Sequence, residues 1–221
     1  MMSNKKTIIL GLIAILILAG IVWYAGEYGE GLTDQTAAIV DNIEEQSPIV
    51  DTSVNLAEEL ITGDPEAPVT MVEYSSHFCG FCAKFHQETL PLIMDKYIKT
   101  GQVKLVSRLV SPLELGLNVL CADEQEAFPE MNEYLFEHAG ELGSVEDLKA
   151  IAGTLGLDQD QFDECFDSAR HENKVKTWFE QATQDQVSGT PTFFINGHKI
   201  VGNQPYEVIE QAIEDALNQT P

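Results

Sequence analysis

Positive charge is what this sequence has least of. Only 12 lysines and arginines stand against 36 aspartates and glutamates, a formal net charge of −24. Such a surface repels nucleic-acid phosphates and anionic lipid head groups, so nucleic-acid binding is excluded as a function class. The acidity is read as a solvated surface, and no mechanism is drawn from it. Cysteine is scarce too. There are four in 221 residues, an even number that suits an oxidising compartment without proving one. Internal repeats and low-complexity tracts are absent, and no strand signal recurs from Pro112 to about Gln186, so the middle of the chain reads as helical. What is there in quantity is apolar: 44% hydrophobic residues, enough for one core of ordinary domain size with extra segments attached.

The one long apolar run goes from Ile8 to Ala25, behind Lys5 and Lys6 and ahead of Glu27, Glu30 and Asp34. It is long enough to cross a bilayer as a helix, with Trp23 and Tyr24 at the outer interface and the lysines held inside. Small residues at signal-cleavage spacing are missing: Ile17 and Trp23 occupy the positions that should be small, and only Gly29-Glu30-Gly31 offers a poor site. Residues 1–26 are therefore expected to be an N-terminal transmembrane anchor, with a removed signal peptide as the alternative. Either way the remainder is exported. Residues 27–48 form an acidic linker, and a folded domain spans 49–221.

Within that domain, Ile49 to Ile61 has apolar content for a first strand or a short docking helix, and both remain open. Gly63-Asp64-Pro65-Glu66-Ala67-Pro68 is a dense turn signal, and Val69 to Tyr74 has the β-branched and aromatic content of a buried strand. It leads into Cys79-Gly80-Phe81-Cys82 and a helix over Phe81 to Thr89 that Pro91 kinks or restarts. Two cysteines so spaced can close a disulfide across the first helical turn, where free backbone N–H groups and the positive end of the helix dipole stabilise a thiolate. Cys79 is then the reactive sulfur and Cys82 the more buried one. The motif alone is ambiguous, because zinc ribbons use the same spacing. Glu73 either is partly buried in its strand or points out at the strand end. His77 and His86 flank the motif and are read as surface or packing histidines in preference to proton carriers, with tuning of the thiolate by an inward-turned His77 as the alternative.

Val103 to Val110 reads as a second strand. Helices are expected over Leu113 to Glu124, Pro129 to His138, Ser144 to Leu155 with Ser144 as cap and Asp147 three residues on, Asp158 to Ser168, and through Val175 to Thr183. Gly189-Thr190-Pro191-Thr192-Phe193-Phe194-Ile195 gives a strand opened by proline. Asn196-Gly197 gives a hairpin turn, and Pro205 to Leu217 gives a closing amphipathic helix.

Taken together, residues 60 to 218 resemble the DsbA-like thiol:disulfide oxidoreductases of the thioredoxin fold. The resemblance rests on the Gly63 to Thr70 turn, on Glu73 six residues before Cys79, on the CxxC, on Gly189-Thr190-Pro191-Thr192-Phe193-Phe194, and on helices inserted between strands. It implies an α/β thioredoxin fold with a helical subdomain at about 112–186. It also implies a Cys79/Cys82 redox pair with Gly80 and Phe81 between, and a Glu73 that takes part in proton transfer to or from Cys82. The Thr190-Pro191 bond is implied to be cis, facing the thiols and lining a groove where an extended client segment pairs. Gly-Phe replaces the Pro-His of the best-known DsbA proteins, which leaves the redox potential unassigned.

The activity implied is oxidation of exported client proteins, with reductase or isomerase action as alternatives. No cofactor is implied; the partners are clients with free thiols and a membrane redox partner of the DsbB-like or VKOR-like kind. Cys121 and Cys165, in two helices of the insertion, are expected as a structural disulfide, since related sequences often carry such a pair. Closing a loop of about 45 residues stabilises by up to about 4 kcal/mol. A reading from another class is copper or zinc binding by Cys79, Cys82 and a nearby histidine. Pro191 opposite the thiols argues against it, and no metal site is expected.

Overall fold

The turn at Gly63, the strand alternation behind it and the apolar stripes of the helices determine one layered arrangement. A computed structural model describes residues 59–219. The expected anchor or signal segment, the acidic linker and residues 49–58 lie outside the described residues. Strands β1 (Leu60–Thr62), β2 (Val69–Ser75), β3 (Val103–Leu109), β4 (Thr192–Ile195) and β5 (His198–Val201) form one sheet in the order β1-β3-β2-β4-β5. β2 and β3 run parallel; the other neighbouring pairs are antiparallel. Helix α1 spans residues 80–98 between β2 and β3. Helices α2 (Leu113–Asp123), α3 (Phe128–Glu137), α4 (Val145–Thr154), α5 (Gln159–Asp167) and α6 (Glu172–Gln184) are inserted between β3 and β4, and α7 (Tyr206–Gln219) closes the chain. No described helix is long and apolar enough to cross a membrane.

Successive side chains of β2 point to opposite faces, and the cores follow that alternation. Val69 and Met71 pack with Phe85, Ile93 and Tyr97 of α1 and with Ile209 and Ile213 of α7. Val72 and Tyr74 pack on the other face with Val106, Phe194 and Ala182 of α6. A third core, around Leu115, Met131, Phe162 and Trp178, lies within the insertion and reaches Leu109 at the end of β3. Glu73 falls on the α1 face, between Ser107 of β3 and Phe193 of β4 in the strand register. The opposite face carries a buried tie: Arg108 Nη1 donates to Tyr74 Oη (2.6 Å), and Nη2 donates to Glu59 Oε1 (3.0 Å) beside β1. Asp185 joins the cluster, its Oδ2 accepting from Tyr74 Oη and lying 3.6 Å from Arg108 Nη1, so the buried guanidinium has two carboxylates for partners.

Several local readings are sharpened. The open choice at Ile49 to Ile61 resolves, for its described part, into an edge strand, Leu60–Thr62. Of the two expectations at Pro91, a kink or a restart, the second fits: α turns (Gly80–Lys84, Leu90–Ile93) alternate with wider π turns (Phe85–Thr89, Met94–Ile98), and the proline lies in the first turn of the second α stretch. Leu90 N–H reaches back to the Phe85 carbonyl, so the helix widens just where the proline ring and missing donor would break a regular ladder. Helix α6 starts at Glu172, before the expected Val175, because its first turn is polar and adds nothing to an apolar period. Ser144 caps α4 with Asp147 in a reciprocal capping box. Asn196 and Gly197, both at positive φ (44° and 88°), make the β4–β5 turn.

Cys121 of α2 and Cys165 of α5 are joined in a disulfide, with their Cα atoms 5.8 Å apart. The bond closes a loop across 44 positions, so the insertion should depend on it. A Cys121→Ala/Cys165→Ala protein is expected to lose about 2–4 kcal/mol of unfolding free energy in urea. An unchanged midpoint would show that helix packing alone holds the insertion.

Candidate active site

Cys79 occupies the residue just before the first turn of α1, with extended backbone (φ −94°, ψ 111°) and no side-chain cap for the helix. The first N–H groups of a helix have no partner within it, and here those of Phe81 and Cys82 face the Cys79 sulfur. Burial alone would raise the Cys79 pKa. Hydrogen bonding to the Thr190 side chain and to the Cys82 and Phe81 N–H groups outweighs it, and the thiol lies below its ordinary value. As a thiol it donates to the Thr190 carbonyl at 3.1 Å. Both Cys79 and Cys82 are free thiols in the structure.

Cys82, one turn further in, is fully buried. Burial pushes its thiol far up, and the nearby Glu73 charge adds to the rise. Two sulfurs three residues apart thus hold opposite protonation preferences. The Thr190-Pro191 bond is cis and leads into β4, which places the Thr190 carbonyl and side chain over Cys79. The rim is apolar: Phe78 and Phe81 are 59% and 67% exposed, unusual for residues of their size. A Cβ at Gly80 would meet nothing within 4 Å, so the space over the motif is open.

Beneath the thiols, the Glu73 side chain is completely buried. Of the two alternatives, the inward one holds. Its Oε1 is 3.0 Å from His86 Nε2, while Oε2 has no hydrogen-bond partner. The His86 ring stacks on Phe136 of α3 at 3.8 Å between centroids. Reading His86 as a surface or packing residue missed this pairing. The available signal was its place four residues after Cys82, which puts both on the inner side of one helix. His77 is a packing residue. It is fully buried, with Nε2 2.9 Å from Asn132 Oδ1 and Nδ1 3.2 Å from Ser111 Oγ. Burial, with a smaller push from His86, lowers its pKa to about 4 against the opposing Asn132 hydrogen bond, so it is neutral near pH 7.

The structure therefore brings Cys79, Cys82, Glu73, Thr190, Pro191, Gly80 and Phe81 to one end of the sheet, where β2 hands over to α1. Cys121 and Cys165 form their disulfide in the separate core of the insertion. Among the described residues, the grouping of three metal-ligating side chains is Cys121, Cys165 and His171, whose two sulfurs are already joined. The arrangement suits sulfur exchange: an accessible thiolate-prone sulfur, a buried proton-holding one, and a carboxyl group close to the second.

Known proteins share this fold. The structure is similar to Wolbachia pipientis alpha-DsbA1 (TM-score 0.69, 24% identity, covering 76% of this chain and 95% of that one). It is also similar to oxidised BdbD from Bacillus subtilis (TM-score 0.67, 22% identity, 74% and 95%). In sequence it is 30% identical to a Salinispora arenicola protein named Na(+)/H(+) antiporter NhaA 1, over 72% of this chain but 25% of that protein. It is 25% identical to a Rickettsia felis protein provisionally named a protein-disulfide oxidoreductase, over 73% and 61%. The chain thus spans a quarter to about three-fifths of the length of these curated relatives. A family model described as thioredoxin matches residues 55–215, nearly the whole of the described fold. On that match, the chain belongs to the thioredoxin family.

Proposed function

We propose that this protein is a thiol:disulfide oxidoreductase of the DsbA type that introduces disulfides into exported client proteins through Cys79 and Cys82. The observation that carries the reading is the opposed ionisation of the two sulfurs: Cys79 favoured as a thiolate by the helix start and Thr190, Cys82 held protonated by burial. In the oxidised enzyme a client thiolate attacks Cys79 Sγ. The Cys79–Cys82 bond breaks, and the electron pair leaves on Cys82, which takes up a proton. A second client thiolate then attacks the client sulfur of the mixed disulfide and expels Cys79 as a thiolate. The client gains a disulfide, and the enzyme holds both electrons as a dithiol.

A low-pKa Cys79 is the better leaving group in the last step, which favours the oxidising direction. Glu73 is the proposed proton donor to Cys82. The Thr190-Pro191 backbone and the exposed Phe78 and Phe81 are the proposed client-binding surface, where main-chain and apolar contacts would accept many sequences. The apolar run Ile8 to Ala25 supports attachment to the cell membrane as a single-pass protein with the catalytic domain outside the cytoplasm, where a membrane redox partner would reoxidise the pair. The Rickettsia felis name supports the chemistry, though not its direction.

In the reduced protein, alkylation of Cys79 by iodoacetamide is expected to reach half its maximal rate below the ordinary thiol pKa of about 8.5, because its pKa is lowered. Cys82 should stay unmodified over the same range. Modification of Cys82 first would reverse the assignment. In glutathione buffers the Cys79/Cys82 pair should equilibrate nearer to the roughly −120 mV of DsbA than to the roughly −270 mV of thioredoxin. A value at the thioredoxin end would make the protein a reductase. Replacing Cys79 by serine should abolish oxidation of a reduced client, and retained turnover would remove the reading altogether.

A further inference from the structure

Glu73 is sealed from water on every side, yet a group that gives a proton to Cys82 must be able to recover it. Its side chain has no exposure, it shares one oxygen with His86, and its other oxygen has no partner. A cleft of about 560 Å³ opens between α1, α3 and the β1–β3 side of the sheet, lined by His86, Ser107, Asn132, Glu133, Phe136 and Glu137 among others. Neither cysteine of the motif nor Glu73 lines it. His86 does both things: its Nε2 meets Glu73 Oε1 at 3.0 Å, and its ring borders the cleft, held flat against Phe136.

From this geometry we propose that His86 is the positioning and proton-carrying residue that connects Glu73 to water in the α1–α3 cleft, so that protons reach Cys82 from the cleft and not from the client-facing rim. The inference rests on the oxidoreductase reading and extends it.

The proton count closes. When the Cys79–Cys82 bond opens, the electron pair goes to Cys82 and the Glu73 carboxyl proton follows it. The carboxylate left behind accepts the His86 Nε2 proton as Nδ1 takes one up from cleft water, so the ring changes tautomer and stays neutral. Each disulfide opened draws one proton from the cleft, and the path runs backwards when the enzyme is reoxidised. Whichever group carries it, one proton lies between Nε2 and Oε1, which suits a relay. A client lying over Cys79 and Thr190 would close the rim to water during exchange, and a back route avoids that block.

The titratable groups around His86 are Glu73 from β2, bonded to it, and His77 from the loop after β2, and those that line the cleft with it are Glu133 and Glu137 from α3 and Asp95 and Lys99 from its own helix.

The test uses full-length oxidised protein and dithiothreitol, which opens the Cys79–Cys82 bond whatever the client. Opening is followed by acid quench and mass analysis across pH 5 to 9. His86→Gln retains a hydrogen-bond donor to Glu73 but cannot pass a proton through. It should slow opening about ten-fold or more and change the shape of the pH profile, while Cys79 alkylation of the reduced variant matches the parent. His86→Ala enlarges the cleft, and added imidazole should restore its rate in proportion to concentration. Parent-like rates and pH profile in His86→Gln would overturn the proposal, as would a folded His86→Ala that imidazole does not rescue. Should parent and variants behave as expected with dithiothreitol while the parent fails to oxidise a reduced client, the client reading falls and the relay stands.

Discussion

Everything at this site depends on how differently one helix start treats two sulfurs. Free N–H groups at the head of α1 and the Thr190 side chain favour charge on Cys79, whereas Cys82, one turn deeper, has lost its water and lies near the Glu73 carboxyl. Neither environment is exotic. The first follows from unpaired backbone donors and the second from burial. Their separation by a single helical turn makes one sulfur a good leaving group and the other a proton acceptor once released. The remainder of the fold can be understood as what keeps that turn in place: β2 delivers it, Phe85 seats it against Phe193 with ring centroids 4.6 Å apart, and the cis Thr190-Pro191 segment covers it from β4.

The insertion contributes more than bulk. Its α3 supplies Phe136, which stacks on His86, and Asn132, which holds the buried His77. Two histidines that flank the motif in sequence are thus fixed by a helix about fifty residues away. The Cys121–Cys165 bond ties α2 to α5 within the same subdomain. Stability of the insertion and the environment of Glu73 are therefore physically linked, because α3 packs on both the insertion core and the inner side of α1.

Much of this was legible in the chain. β-branched alternation marked β2 and β3, the Asn-Gly pair marked the closing hairpin, and Ser144 with Asp147 marked the start of α4. From sequence the burial of Glu73 is undecidable, because a carboxyl in an apolar strand is equally compatible with an end position. Only the pairing of β2 between β3 and β4 removes the second choice. The π turns around Pro91 were not legible, since a proline in a helical pattern announces a break and says nothing about a widened ladder that absorbs it. The polar first turn of α6 adds no apolar period. The pairing of His86 is hidden in the sequence for a related reason: its partner lies on a strand thirteen positions earlier, and its stacking ring comes from the insertion, contacts that exist only once three elements have packed.

The most direct measurement is a single-turnover mixing of fully oxidised protein with an equimolar reduced dithiol client, followed by acid quench and mapping of every cysteine. For each disulfide formed in the client, free thiols should appear at Cys79 and Cys82 in equal number, with Cys121–Cys165 still closed. Client oxidation that leaves the Cys79–Cys82 bond intact, or that opens Cys121–Cys165 in its place, would contradict the account.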